Sequence, residues 1–281
     1  MGAALAATLL SRGVTVTVWN RTESRAAPLI DLGAVWSRTG GEAIAVSPLT
    51  ISMLGSSTDL RAVLDSHAAA LPGRTVVDLS TGTPEDALGD VAALEVHGVT
   101  VLNGAVLGGP RDFGTPTLQI LLAGPLRAWR AHETVIAVLG ATCIYFGEDV
   151  AAPPAVHLAM SCSFQTLTLC AFVESLAYAK AFDVDRTEMV TIAGRLLERV
   201  KRQVADMAAA TDAGDYSNPQ ATLDVYARSA ELVRRSMLAA GLPARLIASS
   251  LEGMNEALAA GRGSDGLAVQ FEFLRSGRDG S

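Results

Sequence analysis

The sequence predicts an α/β fold: an N-terminal doubly wound, mostly parallel sheet, then a long inter-domain helix, then a C-terminal all-α domain. Three observations predict it. Up to residue 149, short β-branched runs alternate with helical stretches of about ten to fifteen residues, the pattern of strands joined by helical crossovers. From Ala152 to Phe182 one apolar stretch runs without a helix breaker after its first turn. Beyond it no strand pattern returns. The expected division is therefore 1–149, 150–182 and 183–281.

Taken in order, residues 2–12 (GAALAATLLSR) read as a helix stopped by Gly13. Val14–Trp19 alternates and is β-branched, so it is a strand. A short helix over Ala26–Leu32 and an extended return at Ala34–Trp36 follow. Strands are expected at Leu49–Leu54, Thr75–Leu79, Thr100–Asn103, Leu118–Leu122 and Cys143–Phe146. Helices are expected at Asp59–Ala70, Pro84–His97 and Pro125–Leu139, the second and third with proline near the start.

The stretch Ala152–Phe182 would form a helix roughly 45 Å long, with Pro153 and Pro154 in the first turn, where a missing N–H costs nothing. It is apolar nearly all round and needs cover on most faces, from its own chain and from a second subunit. Its interruptions by His157, Ser161, Ser163, Gln165 and Glu174 argue against a membrane span. His157, Ser161 and Gln165 recur every fourth residue, with Phe164 and Thr168 on the adjoining row. Such a stripe is either a set of satisfied core residues or the wall of a polar cleft. Helices at Thr187–Ala210, Pro219–Ala240 and Arg245–Ala260 make up the last domain.

Net charge of −7 and the absence of a basic run argue against nucleic acid or an anionic membrane as partner. The three cysteines, Cys143, Cys162 and Cys170, lack metal-ligand spacing and imply no disulfide framework, which suits a cytoplasmic protein and no metal site. No signal peptide is visible, because the chain opens directly into a periodic helix.

Ligands of open α/β sheets sit beyond the carboxyl ends of the strands. At the first such end stand Asn20, Arg21 and Thr22, donors where a cofactor lacking a 2′-phosphate meets an acid. They point to NADPH; a solvated loop arginine is the alternative. A Rossmann-type dinucleotide loop needs a strand, then G-x-G-x-x-G, then a helix. Here Gly2 can stand only for the third glycine; the first strand is missing, and a start roughly ten residues upstream is expected.

With Met1-Gly2, VWNRT (Val18–Thr22), MLGSS (Met53–Ser57) and DLSTGTP (Asp78–Pro84), the first half resembles the β-hydroxyacid dehydrogenase superfamily. Asn103–Gly124 is similar to the substrate-side strand and turn of its imine reductase and reductive aminase branch, although that pattern begins with Asp where this chain has Asn103. Ser217–Leu246 and Ala259–Leu274 look like the family's last helices. The resemblance spans nearly the whole chain and is specific in combination. It implies an NADPH-dependent oxidoreductase reducing C=N bonds, built as a domain-swapped homodimer with its site between one subunit's nucleotide domain and its partner's helices. Leu54, Gly55 and Ser56, with Ser80, Thr81 and Gly82, would line the ribose and nicotinamide; Gly108, Ser161 and Phe164 would meet a small imine or carbonyl substrate.

The family's acid position falls on His157. In hydroxyacid dehydrogenases the corresponding residue is lysine, but this chain has only Lys180 and Lys201, and Lys180 lies roughly 35 Å along the helix from His157. Histidine titrates near neutrality and can supply a proton to the forming amine. Two other readings stand beside this one. One is a carbonyl or β-hydroxyacid reductase using His157 in place of lysine, and the other is a non-catalytic NADPH-binding relative.

Overall fold

In the computed structural model the chain is described at residues 1–140, 142–217 and 219–276. It divides into two compact units, Met1–Thr166 and Leu167–Ser281.

The first unit is α/β. Helix α1 (Gly2–Ser11) leads through Gly13, whose positive φ of 79° ends the helix, to β1 (Thr17–Val18). Next come α2 (Ala27–Asp31), β2 (Val35–Trp36), α3 (Gly40–Ala45) and β3 (Leu49–Ser52). Then follow α4 (Ser57–Asp65), β4 (Thr75–Asp78), α5 (Pro84–Glu95), β5 (Thr100–Leu107), β6 (Gln119–Ala123), α6 (Leu126–Ala137) and β7 (Thr142–Tyr145).

The strands form two sheets. β1 pairs in parallel with β2, while β3-β4-β5-β6-β7 form a second sheet, parallel except at β5–β6. Leu49 stands opposite Thr75, and Thr75 opposite Thr100, so three strands run in step. Central strands are covered on both faces and read as unbroken apolar runs. Val77, Leu102 and Ile120 pack towards α1 and α6, whereas Val76, Val101 and Leu94 pack towards Leu60 and Leu64 of α4.

Three expectations change. The strand expected over Val14–Trp19 is only Thr17–Val18, because it has a hydrogen-bonding neighbour on one side alone. Strand β5 does not stop at Asn103 but runs on to Leu107, carried by its antiparallel ladder with β6. Gly104 makes that approach possible, since a Cβ there would lie 2.5 Å from the Leu121 carbonyl oxygen. Helix α3, absent from the sequence reading, is started by the Thr39 hydroxyl, which accepts from the Glu42 N–H at 3.1 Å.

The long helical stretch is present from Ala152 to Lys180. It is not uniform: α7 (Ala152–His157) passes into a π-helical segment, Leu158–Gln165, and then into α8 (Thr166–Lys180). At its end the Thr166 hydroxyl also donates to the Ser161 carbonyl at 3.2 Å. The second unit adds α9 (Arg186–Ala213), α10 (Leu223–Ala239), α11 (Arg245–Ala259) and α12 (Gln270–Ser276) around a core of Tyr216, Leu223, Met254 and Val269. The expected burial of the long helix is not met within one chain: Leu167, Leu169 and Val173 of α8 are more than half exposed, and α9 buries no residue.

Candidate active site

A cavity of about 300 Å³ opens at the carboxyl ends of β3 and β4 and beside β5. Met53, Leu54 and Gly55 follow β3, and Leu79, Ser80 and Thr81 follow β4. Ala105 and Val106 come from the extension of β5, and His157 closes the ring from the last residue of α7. Strand ends 49–52 and 75–78 therefore bring together, with one helix end, five of the residues singled out from sequence: Leu54, Gly55, Ser80, Thr81 and His157.

The remaining candidates lie elsewhere. Ser56 caps α4, its hydroxyl accepting from the Asp59 N–H at 3.2 Å. Gly82 leads into the capping box of α5, in which Thr83 and Asp86 bond each other reciprocally. Gly108 sits in the turn closed by Asp112, and its φ of 155° and the Leu118 side chain, 2.8 Å from a Cβ placed there, leave room for glycine alone. Ser161 donates to Gln165 Oε1 at 3.3 Å, and neither Ser161 nor Phe164 lines the cavity among the described residues. Gly2 lies beside Met53 at an ordinary contact distance of 3.7 Å, so nothing there yet demands a glycine.

Sequence reasoning missed Met1, Met53, Leu79, Ala105 and Val106. The continued alternation of Asn103-Gly104-Ala105-Val106 was the available signal for the last two.

Electrostatics divide the site. Burial lowers the His157 pKa below its usual value near 6.5. Beneath the cavity runs a buried polar row, for Ser52, Asp78 and Asn103 stand opposite one another across β3, β4 and β5. Burial raises the Asp78 pKa, an effect partly offset by the Ser80 N–H, which donates to Asp78 Oδ1 at 3.0 Å. In the same row Asn103 Oδ1 is buried without a hydrogen-bond partner.

At the end of β1, Asn20 Nδ2 donates to the Thr22 carbonyl at 2.8 Å and so closes the loop that presents Arg21. The Arg21 side chain is 80% exposed and meets Asp59 at 3.2 Å. Arg25, one helical turn further on, flanks the same loop and lines the neighbouring groove with Asn20. The donor set, with arginine in place of an acid at this strand end, fits a phosphorylated ribose. Among the described residues no cluster of His, Cys, Asp and Glu could hold a metal ion.

Residues 1–147 match the NAD-binding domain of 6-phosphogluconate dehydrogenase, and residues 159–276 match the C-terminal domain of NADPH-dependent reductive aminase-like proteins. The chain is 25% identical to an NADPH-dependent reductive aminase of Aspergillus oryzae over 99% of its own length and 95% of that protein's. An imine reductase from Pseudomonas sp. superposes with a TM-score of 0.93 at 29% identity, covering 98% of this chain and 96% of that one. A reductive aminase from Aspergillus terreus, solved with NADPH and ethyl levulinate, gives 0.92 at 26% identity, with the same coverage of both chains. By both halves and along its whole length, the chain belongs to the imine reductase and reductive aminase family, with an NAD-binding domain of the 6-phosphogluconate dehydrogenase type.

Proposed function

We propose that the protein is an NADPH-dependent oxidoreductase that reduces C=N bonds, with His157 as its proton donor. The observation that carries this is the gathering of His157 with the loops after β3 and β4 around one cavity. When bound, NADPH supplies the hydride. Arg21, with Asn20 and Thr22, holds the 2′-phosphate, and Leu54-Gly55 and Ser80-Thr81 bound the space for the nicotinamide. The apolar side chains Met53, Leu79 and Val106 exclude water from this space. His157 delivers a proton to the nitrogen as the amine forms; being half-buried, it holds that proton only on the acid side of neutrality.

A second copy of the chain covers the exposed apolar faces of α8 and α9, giving a homodimer with exchanged helical domains, formed from 183–281 and joined through 150–182. Exposure of Leu167, Val173, Val190 and Ile192 supports this reading. The stretch Ala152–Lys180 is long and apolar enough to cross a bilayer by length and composition, but Glu174, which accepts from the Leu246 N–H at 3.4 Å, ties it to α11. Three free cysteines suit a reducing, cytoplasmic setting.

A carbonyl reductase is the second reading, favoured by 30% identity to glyoxylate/succinic semialdehyde reductase 1 of Arabidopsis thaliana over 53% of this chain and 53% of that protein. NADPH oxidation by the purified protein is measured with a cyclic imine, with a ketone plus amine, and with 2-oxo and 3-oxo acids. Turnover of the imine or the ketone–amine pair above that of the oxo acids is expected. The reverse order overturns C=N reduction, and NADPH binding with no turnover on any of them overturns the enzyme itself.

A further inference from the structure

Strand β4 ends at Asp78, and the loop that follows it brings Ser80 and Thr81 to the cavity wall. This loop is held at both ends. At the far end the capping box of α5 fixes Thr83: Asp86 Oδ2 accepts from the Thr83 N–H at 2.9 Å, and the Thr83 hydroxyl accepts from the Asp86 N–H at 3.1 Å. At the near end the Leu79 N–H donates to the Ser52 carbonyl at 2.9 Å, and the Ser80 N–H then turns to Asp78 Oδ1 at 3.0 Å. A carboxyl oxygen that accepts from the N–H two residues on closes an Asx turn, which sets the direction in which the chain leaves the strand. Ser80, Thr81 and Gly82 bridge the two anchors.

Asp78 is an unusual occupant of its place. Val76 and Val77 before it are buried and aliphatic, as a central parallel strand requires. Asp78 is 2% exposed, and burying a carboxyl group there costs free energy that a valine would not. Its register neighbours, Ser52 on β3 and Asn103 on β5, are polar too and stand about 5 Å away on the same face. The polar row thus lies at the level where the chain passes from sheet to cavity. We propose that Asp78 is a positioning residue for the reduction: by closing the turn on Ser80 it sets where Ser80 and Thr81 stand in the ring of residues that includes His157. This rests on the reading of the cavity as the active site. Among the described residues Asp78 is not part of the cavity wall, so it acts through the loop. A displacement of about 1 Å in groups that orient the reactants can slow a reaction roughly a hundredfold, so the effect falls on kcat more than on cofactor binding.

The test compares Asp78→Leu, which removes the acceptor at similar volume, with Asp78→Asn, which keeps it. The substrate is whichever of the cyclic imine and the ketone–amine pair the parent turns over faster. Asp78→Leu is expected to lower kcat about tenfold or more while changing the Kd for NADPH, read by fluorescence, less than about threefold. Asp78→Asn should bring kcat back to within about twofold of the parent, because the turn still closes. Amide exchange at Ser80, followed without cofactor, should quicken about tenfold in the Leu variant and stay slow in the Asn variant. A Leu variant as fast as the parent, an Asn variant as slow as the Leu one, or equal Ser80 exchange in both variants overturns the proposal. Should Asp78→Leu fail to fold, Ser80→Pro removes the donor of the same bond while Ser80→Ala keeps it. The proline variant must then be the slower of the two, and equal rates sink the idea. A parent with no turnover on either substrate removes the active-site reading and this proposal with it. A parent that turns over, with its Leu variant unaffected, leaves that reading standing and removes the role of Asp78 alone.

Discussion

The Arg21 guanidinium stands 3.2 Å from the Asp59 carboxylate, linking the loop after β1 to the first turn of α4. Both side chains are substantially exposed, so the pair holds Arg21 weakly and a phosphate can displace Asp59. Arg21→Ala is expected to raise the KM for NADPH about tenfold or more while leaving that for NADH nearly unchanged. Asp59→Asn keeps the backbone N–H that Ser56 caps and releases the arginine, so the NADPH KM should fall. Parallel steady-state measurements with the two cofactors check both, and equal losses with NADPH and NADH in Arg21→Ala would remove the phosphate role.

Burial lowers the His157 pKa below its usual value near 6.5. A proton donor of this kind gives a rate that falls as pH rises through its lowered pKa, so the kcat profile should be highest on the acid side of neutrality. Stability runs the other way. Above the unfolded value near 6.5 both states are neutral, and as pH falls below it the unfolded chain takes the proton first, so the fold loses this contribution on the acid side. His157→Gln should lower kcat about a hundredfold, abolish the pH limb and leave NADPH binding, followed by fluorescence, intact. An unchanged profile would exclude the imidazole from proton transfer.

Much of this architecture is legible in the chain because β-branched runs such as Thr75–Asp78 are buried on both faces and carry their own signal. The loop ends after β3 and β4 are equally legible, since a parallel sheet puts such ends on one side, and His157 joined them through the helix that follows β7. What was not legible depends on neighbours. The length of β1 follows from its pairing with β2, and that of β5 from its antiparallel pairing with β6. The spacing of four between His157, Ser161 and Gln165 assumed regular α-helix, but Leu158–Gln165 is π-helical; Ser161 and Gln165 stay hydrogen-bonded to each other, while His157 lines the cavity. Thr83-Pro84-Glu85-Asp86 and Ser56-Ser57-Thr58-Asp59 both carry the Ser/Thr-x-x-acid spacing of a helix cap, a signal that the cofactor-loop reading overrode.

Asp78 lies in the middle of the sheet with its pKa raised by burial. Below the unfolded value near 3.8 both states are protonated and nothing is lost. As pH rises above it the unfolded chain ionises first, so stability falls until the raised folded pKa is passed. Asp78→Asn keeps an acceptor for the Ser80 N–H and removes the ionisation. The variant should be more stable than the parent at pH 8 and lose that advantage at pH 4, as read from urea midpoints. A parent whose midpoint is flat between these pH values, with no gain in the variant, would show that this carboxyl ionises in the fold as freely as in water.

Asp90 is 2% exposed on α5, and its carboxylate is met by the Arg61 guanidinium from α4. Arg61 is itself partly open to solvent, so the pair adds less than a fully buried one. Removing the cation still strands a buried charge, which costs far more than the pair contributes. Arg61→Met should therefore destabilise the first unit by about 2 kcal/mol, and adding Asp90→Asn should recover a large part of it. The comparison turns on non-additivity. If the double variant is as unstable as the sum of the two single ones, the Arg61 stem is packing against α5 rather than neutralising Asp90, and the loss is one of contact area alone.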